Sequence, residues 1–143
     1  MGSAMDFNST MMEFANRYFI DIEPKNGVVV LDFNSIPVSF IDAGDAIVLH
    51  APIGELRQDA GAGILHSMLA ANAALADDGF AICQDNLTDV YAVVRSAPIE
   101  TLDAETLADN VAALVSHASV WRERLAEPMY TVFDKLTDCS RRP

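Results

Sequence analysis

Apolar residues recur along this chain with two different periods, and the period changes at recognisable breakers. In "DFNSTMMEFANRYFI" (residues 6–20), Phe7, Met11, Phe14 and Tyr18 are spaced 4, 3 and 4, which is one face of an α-helix. Asp6 or Asn8 can cap an early start, and Thr10 with Glu13 forms a capping box if the helix begins later. "PKNG" (24–27) ends the pattern with a proline and an Asn-Gly turn. Three apolar, β-branched runs then predict strands: "VVVLDF" (28–33), "VSFI" (38–41) and "AIVLHA" (46–51), the last two joined by the turn "DAGD". Residues 52–63, "PIGELRQDAGAG", predict a loop before a second helix, which "DDG" (77–79) ends with Gly79 suited to a left-handed turn. "FAICQ" (80–84) and "VYAVVRS" (90–96) flank "DNLTD" and predict a second hairpin.

After Pro98, the residues Leu107, Val111, Leu114, Ala118, Trp121 and Leu125 are spaced 4, 3, 4, 3 and 4 and predict the longest helix. Asp103 and Glu105 sit near its positive end, Arg122 and Arg124 near its negative end, and Pro128 closes it. Its stripe is mainly core, with Trp121 expected to be partly exposed. The order α-β-β-β-α-β-β-α predicts an α+β fold, a twisted antiparallel sheet packed by helices. One domain is expected over residues 6–128. "MGSAM" (1–5) reads as an appended tag remnant, and residues 129–143 as a tail, partly helical or disordered, in which Met129, Phe133 and Leu136 keep helical spacing.

The second helix has a different character. From Ala60 to Ala76 there is no charged residue, in a chain where 21% are charged. Ile64, Leu65, Met68, Leu69 and Leu75 are its larger apolar residues, and alanines fill most of the rest. A helix lying on a sheet normally keeps a charged face, whereas one that is apolar or small all round is covered on two sides. One side is the chain's own sheet. The simplest second side is another copy of the chain, giving a homodimer; a core helix tucked under the last helix is the alternative.

Charge narrows the class of partner. Lys+Arg number 9 and Asp+Glu 21, a net charge of −12, which repels phosphate backbones and anionic lipid and suits a basic or neutral polypeptide. Cys83 and Cys139 make no disulfide framework and read as reduced thiols, Cys83 buried or half-buried in its strand. No segment has the order of a signal peptide, and the uncharged run is shorter than the ~20 residues of a membrane span.

Candidate chemistry is sparse. His50, His66 and His117 lack zinc-ligand spacing, and Ser67 beside His66 does not face it on a helix. "GAG" (61–63) lacks the Lys-Ser/Thr of a phosphate loop. Asp77, Asp78, Asp85 and Asp89 read as solvated turn residues. No catalytic group, metal or cofactor is expected, and the balance moves from enzyme to binding protein.

Several stretches carry a resemblance over residues 64–125: "LAAN" (69–72) as a Leu-x-x-Asn helix signature, Gly79 opening a strand, "APIETLDAETL" (97–107) linking into a long helix, and Trp121 within it. Here the chain resembles the class I chaperones of bacterial type III secretion, the Tir-chaperone-like family. The glycine-rich "RQDAGAG" departs from the pattern and leaves the start of the second helix open. The resemblance implies a cytoplasmic homodimer without ATPase activity. Such a protein binds the N-terminal segment of a secreted effector in extended form and keeps it fit for export. It implies dimerisation through the second helix and adjoining strand, here Ile64, Leu65, Met68, Leu69, Asn72, Phe80 and Ile82. It also implies an effector patch near the first helix and first strand, for which Phe7, Met11, Phe14, Tyr18, Val28 and Val30 are the candidates, with ordinary core as their other reading. An added strand can extend the sheet. The rival functions are a regulatory α+β domain that binds a folded partner, and a small hydrolase or thioesterase using His66 between sheet and helix.

Overall fold

The computed structural model describes residues 6–56, 62–85 and 89–126. The expected tag remnant, the tail with Cys139, Pro128 and the tip of the second hairpin lie outside them. The elements are α1 (Phe7–Tyr18), β1 (Val28–Phe33), β2 (Ile36–Asp42), β3 (Ala46–Glu55), α2 (Ala62–Asp77), β4 (Phe80–Gln84), β5 (Val90–Pro98) and α3 (Ala104–Ala126), with a 3-10 turn at Ile99–Thr101. The strands form a five-stranded sheet in the order β1-β2-β3-β5-β4, every neighbouring pair antiparallel. The expected element order and fold class are those observed.

Local chemistry explains the boundaries. Asp6 caps α1 by accepting the Ser9 N–H at 2.7 Å, so the early start is the one used. That hydrogen bond also holds the Asp6 carboxyl below its ordinary pKa. Asp103 does the same for α3: its carboxylate accepts the Thr106 N–H at 2.7 Å, which lowers its pKa. Asn26 and Gly27 both take positive φ (55° and 72°), the pair of values a two-residue hairpin turn needs, so Lys25 and Val28 bridge each other.

One expectation fails in β3. Residues 52–55 continue the strand to Glu55, where the proline had predicted a loop. β2 and β3 stay paired only as far as Ser39 and His50. Two residues further on that register, at the next hydrogen-bonding position, Pro37 would face Pro52, and neither has an N–H to donate. The ladder to β2 ends there, while β3 stays paired with β5 past an irregularity between Pro52 and Gly54.

The core lies between the sheet and a layer in which α3 packs on β2, β3 and β5, and α1 packs on α3. Along β3, Ile47, Leu49, Ala51 and Ile53 are buried and the alternate residues half-buried, so only one face of the sheet is deeply covered. Leu107, Val111, Leu114, Ala118, Trp121 and Leu125 of α3 are all buried. Each large one contributes about 1.5–3 kcal/mol by leaving water. Trp121 was expected to be partly exposed; it is 4% exposed, because the stripe faces inward and the Arg124 guanidinium lies over its ring at 4.8 Å.

Candidate functional site

The two edges of the sheet differ. β1 pairs with β2 on one side only. Asp42 donates to the Gly27 carbonyl, which fixes the alternation: residues 29, 31 and 33 bond inward, and residues 28, 30 and 32 direct N–H and C=O outward. Val28 spends its outward groups on Lys25, at 3.1 and 3.2 Å. Val30 and Asp32 remain as two consecutive positions with no strand beside them among the described residues. The Val30 side chain is 57% exposed.

At the far end of β1, from Phe33 onward, is a cleft of about 640 Å³. Phe14, Tyr18 and Ile20 line it from α1 and its exit, Phe33 and Ile36 from the β1–β2 turn, and Val111, Val115 and Val120 from α3. Ser116 and Ser119 are among the few polar groups in its wall, to which no histidine, cysteine or carboxylate contributes among the described residues. Ring contacts between Phe14 and Tyr18 (5.3 Å), Phe14 and Phe40 (5.8 Å) and Phe33 and Phe40 (6.5 Å) tie the wall to the sheet. At the end of α1, Phe19 adopts the left-handed conformation (φ 57°, ψ 47°) usually filled by glycine, and its side chain is 96% exposed. A bulky residue held there in solvent is a candidate contact residue.

On α2, Met68 and Leu75 turn inward, while Leu65 and Leu69 are exposed, Leu69 by 70%. The helix packs chiefly on β4, so it is not tucked under α3. Its end is fastened from the sheet: the Arg95 side chain donates to the Asp78 carbonyl and lies over the Phe80 ring at 5.0 Å. Gly79 (φ 82°) makes the turn, and a Cβ there would come within 2.7 Å of Arg95 Nη1. Halfway along α2, the Asn72 amide makes two bonds to one residue of β4. Ile82 N–H donates to Asn72 Oδ1 at 2.6 Å, and Asn72 Nδ2 donates to the Ile82 carbonyl at 3.2 Å.

The histidines do not converge. His66 is exposed on α2, His50 is half-buried on the sheet, and His117 rests on the Phe80 ring at 4.9 Å. Among the described residues no three His, Cys, Asp or Glu side chains form a group that could hold a metal, and no helix is long and apolar enough to cross a membrane.

The Tir chaperone protein (CesT) family matches residues 10–122. The chain belongs to that family. None of the curated proteins compared with it matches. Among solved structures, this CesT-family fold resembles a chain of the HopA1–SchA chaperone–effector complex, with a TM-score of 0.70, 19% identity, and coverage of 82% of this chain and 94% of that one. It also resembles a chain of the ExsC–ExsE complex (TM-score 0.69, 21% identity, 85% and 97% covered). A third likeness is to the complex of the Yersinia pestis type III secretion chaperone SycH with a fragment of YscM2 (TM-score 0.63, 17% identity, 80% and 98% covered). Likeness at these identities establishes the fold.

Within the CesT-family fold the candidate residues divide sharply. Phe7, Met11 and Phe14 are core, because their stripe faces α3 and the sheet; Tyr18, Val28 and Val30 are at the surface. In the other set, Leu65 and Leu69 are exposed and Ile64 and Asn72 half-buried, while Met68, Phe80 and Ile82 belong to the chain's own core. Cys83, expected buried or half-buried, is exposed: β4 turns Ile82 toward the core, so its neighbour points away. Phe19 and the cleft were missed. Phe19 sits one position off the helical stripe, and an aromatic just past a helix end is the signal that points to it.

Proposed function

We propose that this chain is a type III secretion chaperone, a bacterial cytoplasmic homodimer without catalytic activity that holds the N-terminal segment of a secreted effector in extended form and keeps it fit for export. The reading is carried by an open strand edge at Val30 and Asp32, an apolar cleft that begins at Phe33 of the same strand, and the exposed Phe19 between two cleft residues, Tyr18 and Ile20. An extended segment laid along β1 gains main-chain hydrogen bonds from that edge, and its apolar side chains find the cleft. Family membership and the likeness to chains of chaperone–effector complexes support the same partner class. The exposed Leu65 and Leu69 support α2 as the surface that meets a second copy. Two copies present two edges and two clefts, so one effector segment can wrap around the pair.

Isothermal titration with the N-terminal segments of the proteins encoded beside this chain tests the proposal. Binding is expected with a large negative heat-capacity change. Phe19→Ala is expected to weaken it at least about tenfold with the protein still folded, since a few buried anchors dominate such contacts. A folded Phe19→Ala, Tyr18→Ala double variant that binds at wild-type affinity removes the cleft mouth from the site. Absence of binding by any secreted protein overturns the function.

A further inference from the structure

β4 is the other edge strand of the sheet, and antiparallel pairing with β5 leaves its outer side without a strand among the described residues. Asp85 donates to the Val90 carbonyl at 2.8 Å, so odd-numbered residues of β4 bond inward and Phe80, Ile82 and Gln84 direct N–H and C=O outward. An edge five residues long with a hydrophobic flank is a template for a further strand. Here its central position is occupied: the Asn72 carboxamide receives the Ile82 N–H and donates to the Ile82 carbonyl, which are the two bonds a neighbouring strand would make. The chain geometry brings them together. From Asn72 the helix runs back about 7.5 Å to its end at Asp77, and after the Gly79 turn β4 advances about 6.6 Å from Phe80 to Ile82. The Arg95 hold on the Asp78 carbonyl fixes that return.

We infer that Asn72 is a positioning residue that closes the β4 edge, so that strand addition is confined to the β1 edge. With Ile82 taken, β4 keeps no two consecutive outward positions, whereas β1 keeps Val30 and Asp32. The sheet is thereby polar in the sense that matters for an extended partner: one end accepts a strand and the other refuses it. The same closure prevents two copies from joining β4 to β4 and extending into larger assemblies, while leaving the α2 surface at Leu65 and Leu69 free. Asn72 does this from within its own chain, through Oδ1 and one of the two Nδ2 hydrogens. The inference rests on the chaperone reading only for the identity of the added strand; the closure belongs to the free protein.

Amide hydrogen exchange and sedimentation on the free full-length chain test it. In the wild type, the Ile82 amide is expected to exchange at least about tenfold more slowly than the Val30 amide, the difference made by about one hydrogen bond. Asn72→Ala is expected to abolish that difference while the amides of Ala81 and Cys83, bonded to β5, stay protected. The variant is also expected to form concentration-dependent species larger than the wild type. Gln84→Pro removes an outward N–H from the same edge without touching the core, and combined with Asn72→Ala it is expected to restore the wild-type size. A merely structural role for Asn72 would not be repaired by a proline on another element. An Ile82 amide as fast as Val30 in the wild type, or an Asn72→Ala variant that keeps both Ile82 protection and wild-type size, overturns the inference, as does a double variant that still assembles. Because no effector enters the measurement, its failure leaves the chaperone reading standing, and failure of effector binding leaves the edge closure standing.

Discussion

α3 runs for 23 residues with Leu107, Val111, Leu114 and Trp121 turned inward, an aspartate cap at one end and Arg124 in the last turn at the other. α2 runs for 16 residues with no acid in its first turn and no base in its last, turns Met68 and Leu75 inward, and leaves Leu65 and Leu69 in water. Every apolar position in the α3 stripe is accounted for by the chain's own core. The apolar surface of α2 is not, and its termini lack charges that would complement the helix dipole. The proposed second copy would cover what the chain's own core leaves exposed on α2, and the two helices therefore answer differently to substitution.

The sharpest way to break this contrast is to damage both helices and compare. Leu114→Ala removes a fully buried side chain from α3 and is expected to cost about 2–5 kcal/mol in denaturant unfolding, with the self-association of the folded protein unchanged. Leu69→Asp places a charge on the exposed face of α2. It is expected to change the stability of the single chain by no more than about 0.5 kcal/mol. The same charge is expected to raise the dimer dissociation constant about a hundredfold or more in sedimentation equilibrium, because it must be desolvated in the pair. Should Leu69→Asp destabilise the isolated chain as much as Leu114→Ala does, α2 is a core helix and the contrast disappears. A wild-type protein that sediments as a monomer at micromolar concentration removes the second copy as its explanation.

The smallest effect concerns the ends of the helices. The Asp103 carboxyl titrates below its ordinary value of 3.8 in the folded chain, chiefly through the Thr106 N–H. Its contribution is therefore complete above the unfolded pKa and is lost as pH falls through the folded one. Asp103→Ala is expected to lower Tm by roughly 2–4 °C at neutral pH and to remove that part of the acid sensitivity, which thermal melts between pH 6 and pH 2 would resolve. An equal pH dependence in wild type and variant would show that the cap contributes nothing.

Much of the fold was legible because its signals are local. The 4-3-4 spacing marked α1 and α3 as helices, and the apolar runs, bounded by turn residues such as Asn26-Gly27, marked β1 and β4 at their observed limits. The extension of β3 through Pro52 was not legible, since a proline reads as a terminator unless its missing N–H falls on the side where the ladder has ended, and here β3 stays paired with β5 on its other side. The site was harder. The cleft is assembled from α1, the β1–β2 turn and α3, so no single window of sequence contains it. The stripe Phe7, Met11 and Phe14 was visible, but periodicity alone does not say which molecule it faces, and the chain's own core claims it. "LAAN" was recognisable as a signature, yet the bonds of Asn72 depend on where the Gly79 turn returns the chain, at Ile82 ten residues later.

Trp121 is the chain's single tryptophan, buried against the core with the Arg124 guanidinium over its ring. The protein therefore carries one indole fluorophore, whose emission lies to the red of that of its three tyrosines, in an apolar setting on α3 and not on the exposed face of α2. Its emission follows the integrity of the core and moves to longer wavelength when water reaches the indole. An association through α2 that leaves the core intact is nearly silent in that channel. Unfolding and assembly can thus be read apart in a single sample, by colour and by size, without an added label.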